Sequence, residues 1–332
     1  FCILNLQRNI MIQQITPGRY RGLKTTSLNK PDVFGIIAFD QRGSYKEMMP
    51  EGMSYEALVQ VKIDIIGSLS TAASAILTDP NYGLSPAMHM SGRSGLLMSL
   101  EKSGYSGDST YRRMEMLEGW TPEKIRKMGV NAVKFMVYYN PQNKELSDEL
   151  DAVIETVVAD CHSWDLPVYL EPMSYSNDAH VSKDSAAFAE QRSDIVIETA
   201  RRLSKTGADV LKMEFPLDIK YNDDQTAWQV TCKELSAAST VPWVLLSAGV
   251  DFDQFKPQVE IACEAGASGF LAGRAIWKEG ATMTPEDRQT FLNDVALPRL
   301  NLLIDIAQEK ARPWTDFYEA TATSETWFEA YG

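Results

Sequence analysis

From residue 35 onward, short apolar runs alternate with polar or glycine-bearing loops and with longer stretches of helical character. The runs are GIIAFD (35–40), ASAILTD (73–79), GLLMSLE (95–101), AVKFMVYY (132–139), PVYLEPM (167–173), DVLKMEF (209–215), PWVLLSAG (242–249) and GFLAGRAIW (269–277). They are nearly continuous in apolar residues rather than alternating, the pattern of parallel strands buried on both faces. Between them, residues 252–265 place Phe252, Phe255, Val259 and Ala262 at helical spacing, and residues 185–206 run as a helix towards a stop at Gly207. Thr121-Pro122 at the head of 120–128 reads as an N-cap followed by proline at the first helical position. Residues 285–309 are expected as one long closing helix.

Eight strands and their intervening helices in one unbroken series predict an α/β fold, a single (β/α)8 TIM barrel over residues 21–312 with a C-terminal extension. A doubly wound sheet is the alternative, but the GxGxxG turn that often follows its first strand is missing. Residues 1–20 are expected as an N-terminal extension, with Met11 a candidate natural start. Residues 80–95 and 103–119 are read as excursions at the mouth of the barrel. The tail 313–332 carries Trp314, Phe317, Tyr318, Trp327, Phe328 and Tyr331. So much apolar surface is expected to form a subunit contact in a homo-oligomer or a cover over the barrel.

Composition narrows the function classes. The net charge of −13 argues against a nucleic-acid binder, although a local cluster of donors suffices for an anionic small molecule. No run approaches about 18 consecutive apolar residues, so no membrane span is expected. The cysteines at 2, 161, 232 and 263 form neither a CxxC pair nor a dense framework, which fits a reduced, cytoplasmic protein. His89, His162 and His180 stand apart with no metal-ligand spacing, and a zinc-dependent mechanism is not expected.

The informative feature is charge inside the apolar runs. Lys134 interrupts the fourth, Glu171 the fifth, and Lys212 with Glu214 the sixth, while Asp40 and Asp79 end the first two. Unpaired burial of a charge costs several kcal/mol, so these groups are expected to meet inside the barrel. Side chains two apart on a strand share a face, so Lys212 and Glu214 are expected to point the same way. A network of ion pairs that merely fixes register is the plainer alternative. A lysine so placed has a chemical use: its unprotonated amine attacks a ketone, and burial beside a second ammonium favours the unprotonated form. Lys134 is expected to supply that second charge, and Glu171 to move protons. In the seventh and eighth runs, Ser247, Gly249, Gly273 and Arg274 are expected to cradle an anion, since the loops after the last two strands recurrently bind phosphate in this fold.

These segments resemble the tagatose-1,6-bisphosphate aldolases and the related sulfofructose-phosphate aldolases over about residues 35–310. The resemblance is carried by FDQRG (39–43), ILTDPNYGL (76–84), LEKSGY (100–105), AVKFMVYYN (132–140), YLEPMSY (169–175), DVLKMEFP (209–216), PWVLLSAGV (242–250) and GASGFLAGRAIW (266–277). It implies a metal-independent class I aldolase with Lys212 as the Schiff-base lysine, Glu171 as acid/base, Lys134 as the second lysine, and Asp40 and Gln41 facing substrate hydroxyls. Glu214 is expected among the substrate-binding groups. The first half is closer to the tagatose-bisphosphate branch and the second to the sulfofructose-phosphate branch. The expected reaction is reversible cleavage of a ketose 1,6-bisphosphate to dihydroxyacetone phosphate and glyceraldehyde 3-phosphate. Cleavage of sulfofructose phosphate to dihydroxyacetone phosphate and sulfolactaldehyde is the enzymatic alternative, and a non-catalytic sugar-phosphate sensor the alternative of another class.

Overall fold

The computed structural model describes residues 12–331, so Cys2 and Met11 lie outside the described residues. The strands are β1 (Gln13–Ile15), β2 (Phe34–Ala38), β3 (Ala75–Thr78), β4 (Gly95–Ser99), β5 (Ala132–Tyr138), β6 (Val168–Met173), β7 (Val210–Met213), β8 (Trp243–Leu246), β9 (Gly269–Ala272) and β10 (Tyr318–Ala320). β2 to β9 form a closed parallel barrel, sealed where Phe34–Ile37 pair with Gly269–Ala272. Every residue of β2, β3, β7, β8 and β9 is buried, which explains why the runs lack alternation. The expected (β/α)8 barrel is the observed one. Among the described residues no helix is long and apolar enough to cross a membrane.

The helices follow the expected cap chemistry. Ser185 caps Ala186–Leu203, and Thr121 caps Pro122–Lys127 by accepting from the Lys124 amide at 3.3 Å. The closing helix is not uniform, however. Pro285–Phe291 and Leu297–Lys310 are joined through a π-helical turn, Leu292–Ala296. Pro298 lacks the amide hydrogen an α-turn would use there, which accounts for the wider turn.

The N-terminal end of the barrel is floored by the helix Pro17–Thr26, capped by Thr16 with proline at its first position. The expected boundary between residues 20 and 21 falls inside this helix. Gly22 makes the close approach possible: a Cβ there would lie 2.6 Å from the Asn131 carbonyl oxygen and 2.7 Å from the Pro167 ring. The hydroxyls of Thr26 and Tyr169 share a hydrogen bond of 2.7 Å. Asp209, at the foot of β7, accepts from Arg19 (2.5 Å), His162 (2.9 Å) and the Val168 amide (2.7 Å).

The tail closes over the same end. β10 pairs in parallel with β1, Trp314 is buried edge-on to Tyr20, and the Tyr318 hydroxyl donates to the Asp209 carbonyl at 2.9 Å. Its first half is therefore a cover, laid over the floor rather than the mouth. Trp327, Phe328 and Tyr331 remain exposed, with the Tyr331 hydroxyl bonded to Asp165 and accepting from the Gly18 amide.

Candidate active site

Register brings the charged residues together. Leu170 pairs with Leu211, so Glu171 and Lys212 stand side by side on neighbouring strands. The Glu171 carboxylate bridges two lysines, with Oε1 2.8 Å from Lys212 Nζ and Oε2 2.8 Å from Lys134 Nζ. Lys134 also reaches Asp40 Oδ2 at 2.9 Å and Glu101 Oε1 at 3.0 Å. Arg42 braces Glu101 from above, donating to its carbonyl at 2.9 Å and to its carboxylate at 3.3 Å. Three carboxylates thus face two lysines and a guanidinium in one nearly dry volume.

The electrostatics follow from this packing. Burial opposes the Lys134 charge, but Asp40, Glu101 and Glu171 outweigh it and raise its pKa well above the ordinary lysine value. Lys134 is a fixed ammonium. Burial would likewise raise the Asp40 carboxyl, yet Lys134 and Lys212 hold it far below the usual carboxylate range.

Lys212 opens on a cavity of about 120 Å³ lined by Gln41, Glu171, Ser247, Gly249, Gly273 and Arg274, among others. Ser247 Oγ accepts from the Gly273 amide at 3.1 Å, tying the ends of β8 and β9 together. Gly249 has φ +83°, and a Cβ there would lie 2.8 Å from Arg274 Nη2. Only glycine lets that guanidinium rest on the loop. The Oε1 of Gln41 is buried with no hydrogen-bond partner among the described residues.

Glu214 does not join the lysine cluster. Its carboxylate accepts from the Ser174 amide and hydroxyl (2.8 and 2.5 Å) and from Lys183 (2.7 Å), with Arg192 at 3.6 Å. Lys212 belongs to β7, which ends at Met213, so Glu214 has already left the strand and turns to the segment that follows β6. Burial would raise its pKa, but Lys183 and Arg192 lower it to about 2. A further buried pair, Lys62 with Asp79 at 2.5 Å, supports the site from outside, because Lys62 also donates to the Phe39 and Gln41 carbonyls at 2.7 and 3.1 Å.

A family model described as DeoC/LacD family aldolase matches residues 34–279, from the first barrel strand into the helix after the last. The chain belongs to the DeoC/LacD aldolase family. A tagatose 1,6-diphosphate aldolase 2 of Streptococcus pyogenes serotype M3 is 31% identical, covering 88% of this chain and 97% of that protein. The tagatose 1,6-diphosphate aldolase of Lactococcus lactis is 30% identical over 91% of this chain and 99% of its own. A solved Schiff base forming fructose-1,6-bisphosphate aldolase superposes with a TM-score of 0.56 at 18% identity, covering 87% of this chain and 99% of that one. A fructose-bisphosphate aldolase from Slackia heliotrinireducens reaches 0.64 at 15% identity, with 88% and 90% covered. At such identities the likeness to solved structures is one of fold.

In this aldolase, then, Lys134, Glu171, Lys212 and Asp40 converge, and Gln41, Ser247, Gly249, Gly273 and Arg274 line the adjoining cavity. Glu101, Arg42 and Lys62 are the participants that sequence reasoning passed over. Glu101 had a signal, since it ends its apolar run as Asp40 and Asp79 end theirs. Lys62 had none, being one polar residue in an otherwise amphipathic helix, Tyr55–Leu69.

Proposed function

We propose that this aldolase is of class I and cleaves a ketose 1,6-bisphosphate through a Schiff base on Lys212, needing no metal because the lysine itself supplies the electron sink. The observation that carries the reading is the single carboxylate of Glu171 shared between a fixed ammonium, Lys134, and the cavity-facing Lys212. With Lys134 charged, Glu171 can take the proton that Lys212 must lose before it attacks. The Lys212 nitrogen adds to the C2 carbonyl, and one of its protons passes to the carbonyl oxygen to give a neutral carbinolamine. Glu171 protonates that hydroxyl, water departs, and an iminium forms. Glu171, a carboxylate again once water has left, takes the C4 hydroxyl proton as the C3–C4 bond breaks. C4 becomes the carbonyl of the released aldehyde, and the bonding pair moves into the iminium to give an enamine. Protonation at C3 and addition of water then release dihydroxyacetone phosphate and restore the amine.

The C1 phosphate suits the cradle of Ser247, Gly249, Gly273 and Arg274, where the guanidinium of Arg274 meets the glycine-bearing ends of β8 and β9. Gln41 Oε1, lacking a donor of its own, suits a substrate hydroxyl. The tagatose 1,6-diphosphate aldolases at about 30% identity support a ketose bisphosphate as substrate. A cytoplasmic setting suits the free, buried thiols of Cys161, Cys232 and Cys263.

Borohydride reduction in the presence of dihydroxyacetone phosphate tests the covalent step. Mass spectrometry is expected to find the reduced adduct on the Lys212 peptide, and its absence there sinks the mechanism. Parallel rates on tagatose 1,6-bisphosphate, fructose 1,6-bisphosphate and sulfofructose phosphate identify the preferred sugar. Faster turnover of the sulfonate would overturn the bisphosphate assignment and leave the Schiff base standing.

A further inference from the structure

Arg112 lies in the excursion between β4 and β5, which forms neither helix nor strand from residue 103 to 119. Its guanidinium carbon sits 4.7 Å from the ring centre of Tyr105, 5.2 Å from Tyr138 and 5.5 Å from Tyr175. The Nε donates to the Ser109 carbonyl at 3.0 Å. Aromatic faces hold a guanidinium in place while leaving its in-plane N–H groups open to an oxyanion.

Two observations give this cage a role. The first is charge. Arg42 is already matched with Glu101, Lys183 and Arg192 with Glu214, and Arg113 with Glu149. Arg112 and the cradle's Arg274 have no carboxylate within ion-pair distance among the described residues. The second is direction. Tyr138 ends β5 four residues beyond Lys134, on the same side of the strand and roughly 13 Å farther along it. A substrate with its C1 phosphate at the ends of β8 and β9 and its C2 at Lys212 on β7 extends its remaining carbons past Glu171 towards the ends of β5 and β6. The cage stands there.

We infer that Arg112, held by Tyr105, Tyr138 and Tyr175, receives the strongly acidic group at the substrate end remote from the carbonyl, a phosphate or a sulfonate. It thereby sets the preference for ketoses charged at both ends. Burial holds the Tyr138 pKa above the ordinary value, so its hydroxyl stays a proton donor beside that group. The inference rests on the aldolase reading above and deepens it.

The test compares Arg112→Ala with the unaltered enzyme on a ketose 1,6-bisphosphate, a sulfoketose 1-phosphate and a ketose 1-phosphate. Loss of charge-assisted hydrogen bonds is expected to lower kcat/KM for the doubly anionic sugars by roughly 10- to 100-fold, mostly through KM. The ketose 1-phosphate is expected to be little affected, so the preference collapses. The fall should appear for whichever of the phosphate and sulfonate sugars the unaltered enzyme prefers. Borohydride trapping of dihydroxyacetone phosphate, which lacks the remote end, should persist. Absence of trapping in the unaltered enzyme refutes the Schiff-base reading itself. Persistent trapping with an unchanged preference in Arg112→Ala overturns the role of Arg112 alone. Should Arg112→Ala lose trapping through misfolding, Arg112→Gln, which keeps the stem and its packing, decides on the same ratio.

Discussion

The barrel buries a cluster of charge at each end, and the two are built differently. At the floor, one carboxylate, Asp209, is saturated by Arg19, His162 and a backbone amide, and Tyr318 of the tail bonds its carbonyl. At the mouth, Glu171 divides its two oxygens between Lys134 and Lys212, and Lys212 opens on a cavity. Burial pushes both Asp209 and Asp40 upwards, and cationic partners reverse it in both, so electrostatic cost alone does not separate a staple from a site. What separates them is whether any charged group of the cluster still faces open space. Asp209 has no exposed side chain, whereas Lys212 and Glu171 line a cavity shared with Ser247, Gly249, Gly273 and Arg274.

The two ends are expected to respond to substitution in opposite ways. Lys212→Met is expected to lower turnover by at least about 1,000-fold, because in the proposed mechanism no other group supplies the covalent amine. Its melting temperature should change little, since Glu171 keeps Lys134. Asp209→Ala is expected to do the reverse: leaving Arg19 and the Val168 amide without their partner costs about 3–5 kcal/mol of stability. Turnover per folded molecule should be unaffected. Denaturant melts and kcat on both variants decide. A catalytic defect in Asp209→Ala without destabilisation would merge the two clusters into one functional unit.

Glu214 lies near the mouth, yet it is saturated with donors as Asp209 is at the floor. Its pKa is lowered from the ordinary 4.5 to about 2 by Lys183 and Arg192. A depressed carboxylate contributes stability above its unfolded pKa and loses it as pH falls through the folded one. The contribution, roughly 3 kcal/mol, is therefore full at pH 7 and fades between about pH 4.5 and pH 2. Glu214→Gln is expected to be less stable by that order at neutral pH, with the gap closing over this window. A gap independent of pH, read from urea midpoints, would show that the ionised form is not what stabilises.

The same contrast explains what was legible in the sequence. Strands buried on both faces write continuous apolar runs, so the barrel was readable from runs such as GIIAFD and DVLKMEF. Lys134, Glu171 and Lys212 were readable because a charge inside such a run is anomalous. Alternation puts Glu214 on the face of Lys212, but β7 ends at Met213 and the chain turns before Glu214. Glu101 was passed over because it leads into a polar loop, and Arg112 because three rings from separate segments define its position. The flooring helix left one local signal, Thr16-Pro17, ahead of a weakly amphipathic stretch. Placement decided by tertiary contact leaves no periodic trace.

At the cradle, Gly249→Ala is expected to act more gently than the loss of Lys212. Its φ of +83° strains any L side chain, and the new Cβ would press on Arg274. Displacing that guanidinium should raise KM for the phosphorylated sugar by about tenfold, with a smaller change in kcat. A change in kcat alone would move the phosphate away from Arg274.

The smallest expected effect belongs to the floor. Tyr318→Phe removes one buried hydrogen bond to the Asp209 carbonyl and leaves the β1–β10 pairing in place. The expected cost is about 1 kcal/mol, the net worth of one such bond. It should register as a shift in urea midpoint with an unchanged slope, since the surface exposed on unfolding is the same. Activity should not move, because the Asp209 carboxylate keeps all three of its donors. A change in the slope would mean that this hydroxyl holds the tail down as a unit. The tail would then count as part of the barrel's cooperative fold rather than as a cover laid upon it.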